Sequence, residues 1–209
     1  FMQPLRPDAQ GTYQWGRRAK DGSFTSATSV SCRAGRLANT PTALGSLDVI
    51  AVDCHSDGAQ PVQWRSLYSP ALGAVVRQER KDGAHNLIAV RPSTNGWPSA
   101  ARTGLDWAVT HALESTGAPV QWSSTGVTTH FEIKAGAKVT GLEAGLTGKN
   151  AALSCRRFEM VQSQPALRYP GLACQQAGGW LLPGTAIRFA APANGLTAKA
   201  PSGLRSAQK

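Results

Sequence analysis

The side chains here that could act chemically are led by four cysteines and four histidines, and their spacing limits what they can do. Cys32, Cys54, Cys155 and Cys174 form two neighbouring pairs, each about twenty residues apart; that is a hairpin's length, not the Cys-x-x-Cys spacing of a zinc or redox site. Four cysteines allow three pairings, and the local one, Cys32 with Cys54 and Cys155 with Cys174, is the simplest. Each bridge would staple two strands and contribute on the order of 3 kcal/mol through loop closure. Such bridges persist in oxidising surroundings, so they carry a statement about compartment; the competing reading is four buried free thiols in a cytosolic protein.

His55, His85, His111 and His130 are isolated from one another, and no His-x-x-x-His spacing occurs, so no metal and no cofactor is expected. Cys54-His55 is the one adjacent Cys and His, but a nucleophile must be a free thiolate, which the expected disulfide denies it. The sequence has no Gly-x-Ser-x-Gly elbow, phosphate-binding glycine loop or dinucleotide fingerprint. A paired-carboxylate site drawn from Glu132, Glu143 or Glu159 would have no signature of its own. The expectation is a protein without catalytic residues.

With 22 Lys and Arg against 12 Asp and Glu, the formal charge is +10, which speaks to encounter with polyanions, not to fold. The charges are dispersed as singles and pairs, without the long clusters of nucleic-acid arms, and the disulfides argue against nucleic acid as well. The pairs Arg17-Arg18, Arg80-Lys81 and Arg156-Arg157 are the candidate exposed basic surface, although the stem of Arg156 could instead cover a disulfide. Of the six tryptophans, Trp64, Trp122 and Trp180 read as core, and Trp97, between Gly96 and Pro98, as the most exposed.

These residues must be positioned by short strands. Abundant Gly and Pro favour turns, and no stretch approaches the ~20 apolar residues that span a bilayer. No charged-then-apolar leader opens the chain, so an exported form would have lost its signal. Strand-like runs at Thr12–Trp15, Phe24–Cys32 and Leu47–Cys54 are separated by turn signals at Asp21-Gly22 and Asp57-Gly58, with a looser run around Asn39-Thr40-Pro41. Pro61-Val62-Gln63-Trp64 recurs as Pro119-Val120-Gln121-Trp122. Each half also carries a Cys-Arg step, a second cysteine followed by a glycine turn and a tryptophan (Trp64, Trp180), and a closing apolar strand, Asn86–Pro92 or Thr185–Pro192. An internal duplication is expected. Between the halves, Leu105, Ala108, Val109, Ala112 and Leu113 mark one helix, capped by Thr103 with Asp106 and stopped at Gly117. Further strands are expected at Val127–Ile133 and Lys138–Leu146, with turns at Gly136 and Gly148. The fold class is therefore mainly β: two similar disulfide-stapled antiparallel β units with one short helix between them. The first unit spans 11–92, a linker 93–104, the helix and second unit 105–192, and a flexible basic tail 193–209.

One series is more specific. Ala112-Leu113-Glu114, Gly117, Val120-Gln121-Trp122, Cys155-Arg156-Arg157-Phe158-Glu159, Gly171-Leu172-Ala173-Cys174-Gln175-Gln176 and Gly179-Trp180 occur in this order over about residues 112–182. The series resembles the C-terminal domain of the rickettsial 17-kDa surface antigen family, outer-membrane-associated proteins of Gram-negative bacteria. The glycine-zipper hairpin and lipid-attachment cysteine typical of that family are not in this sequence, so membrane anchoring is not carried over. The resemblance implies a location: a non-catalytic exported envelope protein, periplasmic or at the cell surface, that binds or assembles with an envelope protein or an anionic envelope polymer. Two readings stand beside it, a binder of anionic envelope polysaccharide or lipopolysaccharide, and a small envelope hydrolase.

Overall fold

The computed structural model describes residues 5–15, 19–23, 28–58, 60–115, 118–185 and 187–189. Arg17, Arg18, Gly117 and the tail 193–209 lie outside them. Among the described residues twelve strands and one α-helix build two six-stranded antiparallel sheets, each a meander in which consecutive strands are neighbours. The first sheet holds β1 (Gln10–Trp15), β2 (Thr28–Thr42), β3 (Gly45–Ser56), β4 (Gln63–Ser69), β5 (Ala74–Arg80) and β6 (Gly83–Asn86). Helix α1 (Ser99–Glu114) follows, then β7 (Val120–Trp122), β8 (Phe131–Thr140), β9 (Ser154–Gln162), β10 (Leu167–Gln176), β11 (Gly179–Leu181) and β12 (Arg188–Phe189). Two sheets with a disulfide in each and a helix between them are the architecture expected from the sequence. Among the described residues no helix is long and apolar enough to cross a membrane.

Alternation builds the first sheet's two cores. From the middle of β3, Ile50, Val52 and Cys54 face a cluster with Val30 and Ala34, while Val49 faces a second with Leu44, Leu67 and Val76. Burial on both faces explains why Val49-Ile50-Ala51-Val52 reads as an unbroken apolar run. Strand β2 is longer than expected: it carries through Asn39-Thr40-Pro41 to Thr42, with a bulge between Ala34 and Leu37 that absorbs Gly35 and Arg36.

In the second unit α1 lies on one face of the sheet. Its buried stripe of Ala101, Leu105, Ala108, Val109, Ala112 and Leu113 packs against Trp122, Phe131, Ile133, Phe158, Met160, Ala173, Trp180 and Phe189. The helix starts at Ser99, four residues before the expected Thr103 cap, so the second half of the expected linker is helical. Ala101 is already buried in the core, and the carbonyl of Pro98 accepts hydrogen bonds from the N–H groups of Ala101 and Arg102. Asp106 turns instead to Arg91. Likewise the two strands expected on either side of Gly136 are one strand, β8, because Gly136 sits in a bulge between Ala135 and Lys138 rather than in a turn.

The boundary between the units also shifts. Strand β6 ends at Asn86, and the next residues, expected to close the first sheet, pair with the second: Leu172 N–H donates to Ile88 O at 2.8 Å, Val90 N–H to Pro170 O at 2.8 Å, and Ala89 bridges Gly171. Strand β11 covers only the Cys174–Gln176 end of β10, so this segment satisfies backbone groups that β11 leaves open.

The sheets share strand order and a bulge between their second and third strands, each beginning Ala-Gly (Ala34-Gly35, Ala135-Gly136). Their cysteines and tryptophans do not superpose as the sequence suggested. The disulfide joins the second and third strands of the first sheet but the third and fourth of the second. Trp64 stands on the fourth strand of its sheet and Trp180 on the fifth, and the repeated tetrapeptide falls at β4 in one and β7 in the other.

Candidate functional site

Both disulfides join residues directly opposite each other, Cys32 with Cys54 and Cys155 with Cys174, at Cα–Cα distances of 4.1 and 3.9 Å. No cysteine is left free. Their surroundings differ. Cys155 and Cys174 are fully buried between the units, in a cluster with Ala43, at the β2–β3 turn, and with Leu146 and Leu172. Cys32 is half-buried, and its bridge borders an open depression on the first sheet.

That depression measures about 1620 Å³ and is drawn from β2, β3, β4 and β5 at matching register. Arg33 stands opposite Asp53, Asp53 opposite Arg65, and Arg65 opposite Glu79, so one row across four strands alternates cation and anion. Two residues further along, Ser31, His55 and Gln63 form a second row. Side chains two residues apart share a face, so both rows lie on the side away from the core that holds Val30, Ile50 and Val52.

Within the row the carboxylates are held by arginines. Arg65 grips Asp53 with two bonds, Nε to Oδ1 at 2.7 Å and Nη2 to Oδ2 at 3.1 Å, and Arg77 Nη2 lies 2.8 Å from Glu79 Oε1. The hydrogen bond from Arg65 holds the Asp53 carboxyl below its ordinary range against a smaller opposing effect of burial. Both partners are more than half exposed, so the pair contributes under ~1 kcal/mol to stability; its effect is to fix where the carboxylate points. Arg33, His55, Gln63, Arg80 and Lys81 make no side-chain hydrogen bond or ion pair among the described residues, and all are exposed.

Of the candidate binding residues singled out from the sequence, Arg80 and Lys81 are the ones among the described residues that reach this depression. Arg156, expected at the surface, is buried. Its Nη1 donates to Leu113 O at 2.6 Å and Ser115 O at 2.8 Å, and its Nε to Gly136 O at 2.9 Å, so the guanidinium caps the C-terminal end of α1 and fastens it to the β8 bulge. Arg157 is half-buried between the units, donating to Ala43 O at 3.1 Å and Thr42 O at 3.4 Å. Trp97, expected to be the most exposed tryptophan, is half-buried: its ring stacks on Trp122 at 5.6 Å and meets Phe131 at 6.2 Å. Trp122 and Trp180 are core residues, and Trp64 packs at the margin of the first core.

The three glutamates considered for hydrolysis are each engaged locally. Glu132 pairs with Lys134 and Gln121, Glu143 accepts from the N–H and hydroxyl of Thr140, and Glu159 meets Arg168. Among the described residues no group of three His, Cys, Asp or Glu side chains is placed to hold a metal ion. The ladder Arg33, Asp53, Arg65, Glu79 was missed in the sequence because its members are far apart. The signal is nonetheless present as polar residues alternating about Cys54 and Trp64: Asp53 and His55, Gln63 and Arg65. No protein family, curated protein or solved structure matches the chain.

Proposed function

We propose that this protein is a non-catalytic, exported component of a Gram-negative envelope, in the periplasm or at the cell surface, and that it recognises an envelope constituent through the open face of its first sheet. The observation that carries this reading is the pairing of all four cysteines into two cross-strand disulfides, chemistry that persists in oxidising compartments. The series from Ala112 to Trp180 that resembles envelope surface antigens supports the same location. The open, polar depression on the first sheet supports binding, since Arg33, Gln63, Arg80 and Lys81 on its lining have no side-chain partners among the described residues. Thiol trapping with a maleimide reagent in fractionated Gram-negative cells, coupled to cross-linking from Lys81, tests it. The expected result is unlabelled, disulfide-bonded protein in the envelope fraction, cross-linked to an envelope constituent. Recovery as a free-thiol cytosolic protein would overturn the reading.

A further inference from the structure

We propose that the depression lined by Ser31, Arg33, Asp53, His55, Gln63 and Arg65 is a binding site for a polyhydroxylated glycan chain, held by hydrogen bonds and not by net charge. This rests on the reading of the protein as an exported binding component and names the ligand class of that same face.

The charge of the lining makes the first argument. Arg33, Arg65, Arg80 and Lys81 are set against Asp53, Glu79 and Asp82, four cations and three anions, so the net charge is +1 even though the chain as a whole carries +10. The basic excess lies elsewhere. A polyanion laid across these strands would meet Asp53 and Glu79 between the arginines, and most of the attraction would cancel. An apolar ligand would cover Arg33, Arg80 and Lys81 without giving them a partner. A sugar hydroxyl both donates and accepts, so a neutral polyol can satisfy carboxylate and guanidinium together.

Geometry makes the second. Neighbouring strands lie ~4.8 Å apart, close to the length of one pyranose unit, so successive sugars of an extended chain would meet successive strands. Two parallel rows, Arg33, Asp53, Arg65 and Glu79 beside Ser31, His55 and Gln63, offer polar groups, all but the Ser31 hydroxyl planar, on either side of such a chain. Pre-organisation makes the third. Asp53 is clamped by Arg65 and Glu79 by Arg77 before any ligand arrives, so two acceptors need no ordering on binding, while Arg33, His55 and Gln63 retain their hydrogen-bonding capacity among the described residues.

The test is calorimetric titration of the oxidised protein with tetramers to hexamers of β-1,4-linked glucose and of N-acetylglucosamine, with heparin as the polyanion. Saturable binding of at least one neutral oligomer is expected, changing less than ~2-fold between 0.01 and 0.15 M salt, over which the Debye length falls from ~30 to ~8 Å. Arg33→Ala with Gln63→Ala should weaken it at least ~10-fold by removing two exposed hydrogen-bonding side chains, with the unfolding temperature unchanged. Absence of saturable binding to the neutral oligomers, or affinity indifferent to the double substitution, overturns the inference. Binding of heparin alone, lost with salt, would also overturn it by assigning the face to a polyanion. Failure here with the protein still oxidised and cross-linked in the envelope would sink the glycan assignment alone. A cytosolic free-thiol protein would sink the broader reading whatever the oligomers do.

Discussion

The guanidinium of Arg156 on β9 lies 2.6 Å from the carbonyl oxygen of Leu113 in the last turn of α1, and among the described residues it pairs with no carboxylate. Helix ends leave carbonyls without partners and carry partial negative charge, so a buried cation is satisfied here by backbone alone: Leu113 and Ser115 from the helix, Gly136 from the sheet. Replacing Arg156 with Met should cost about 3 kcal/mol, because three backbone carbonyls, that of Leu113 buried, lose charge-assisted bonds. Arg156→Lys should recover little, since one ammonium cannot reproduce the fork. Arg80→Met, on the exposed end of β5, should stay within ~0.5 kcal/mol. Urea unfolding of the three variants checks this, and equal effects at Arg156 and Arg80 would return Arg156 to the surface.

A second contact fixes the centre of the same sheet. Gly171 on β10 stands opposite Phe158 on β9, and a methyl group on it would come within 2.3 Å of Phe158 Cζ. The aromatic ring occupies the space that a side chain at 171 would need, next to Ala89 of the connecting segment. Gly171→Ala should therefore destabilise by about 2–3 kcal/mol. Combined with Phe158→Leu, the loss should be smaller than the sum of the two single losses, because removing the ring relieves the overlap that the alanine creates. Additive losses would show that the ring is not what makes glycine necessary there.

Features that depend on local pattern could be read from the sequence. Hairpin spacing located both cysteine bridges, β-forming runs between turn signals located most strands, and the stripe from Leu105 to Leu113 located the helix. What failed depended on partners distant in sequence. Gly35 and Gly136 look like interruptions, yet a bulge lets a strand pass through a glycine, so β2 and β8 came out longer than expected. Arg156 sits one residue from a cysteine like any surface arginine, and only the arrival of α1's end above it makes it a buried cap. Ile88–Val90 reads as the close of one unit and pairs with the other, because only the fold exposes the open edge of β10. The charged ladder was hidden for the same reason, since its alternation exists across strands and not along the chain.

The two disulfides should differ in accessibility. Cys155 and Cys174 are fully buried at the junction of the units, whereas Cys32 is half-buried at the margin of the depression. Mild reductant under native conditions, followed by alkylation and peptide mass mapping, should therefore label Cys32 and Cys54 before Cys155 and Cys174. Removing either bridge by paired Cys→Ser substitution should cost on the order of 3 kcal/mol. Labelling in the opposite order would mean that the two units part more readily than the first sheet opens.

The ion pair between Arg91 and Asp106 sets a pH dependence of definite sign. Arg91 Nη2 lies 2.5 Å from Asp106 Oδ1, so the connecting segment is tied to α1, and the guanidinium also sits 5.5 Å from the centre of the Phe189 ring. Burial raises the Asp106 pKa above its model-compound 3.8, and the attraction of Arg91 offsets only part of that. A carboxyl whose folded pKa is raised binds its proton more tightly in the folded state. Its contribution to stability is thus fully present below 3.8 and is lost as pH rises through the folded value. Asp106→Asn, which mimics the protonated form, should match the parent protein at low pH and become the more stable of the two as pH climbs through that window, levelling off above it. Asp53, held down by Arg65, has the opposite sign: its contribution is present above 3.8 and lost as pH falls, so Asp53→Asn should lose ground relative to the parent in the climb from acid. Thermal unfolding of both variants and the parent across the acidic range separates the two slopes. If the relative stability of Asp106→Asn fell with rising pH, the attraction of Arg91 would outweigh the burial of Asp106, and the pair would tie the connecting segment to the helix at a net gain.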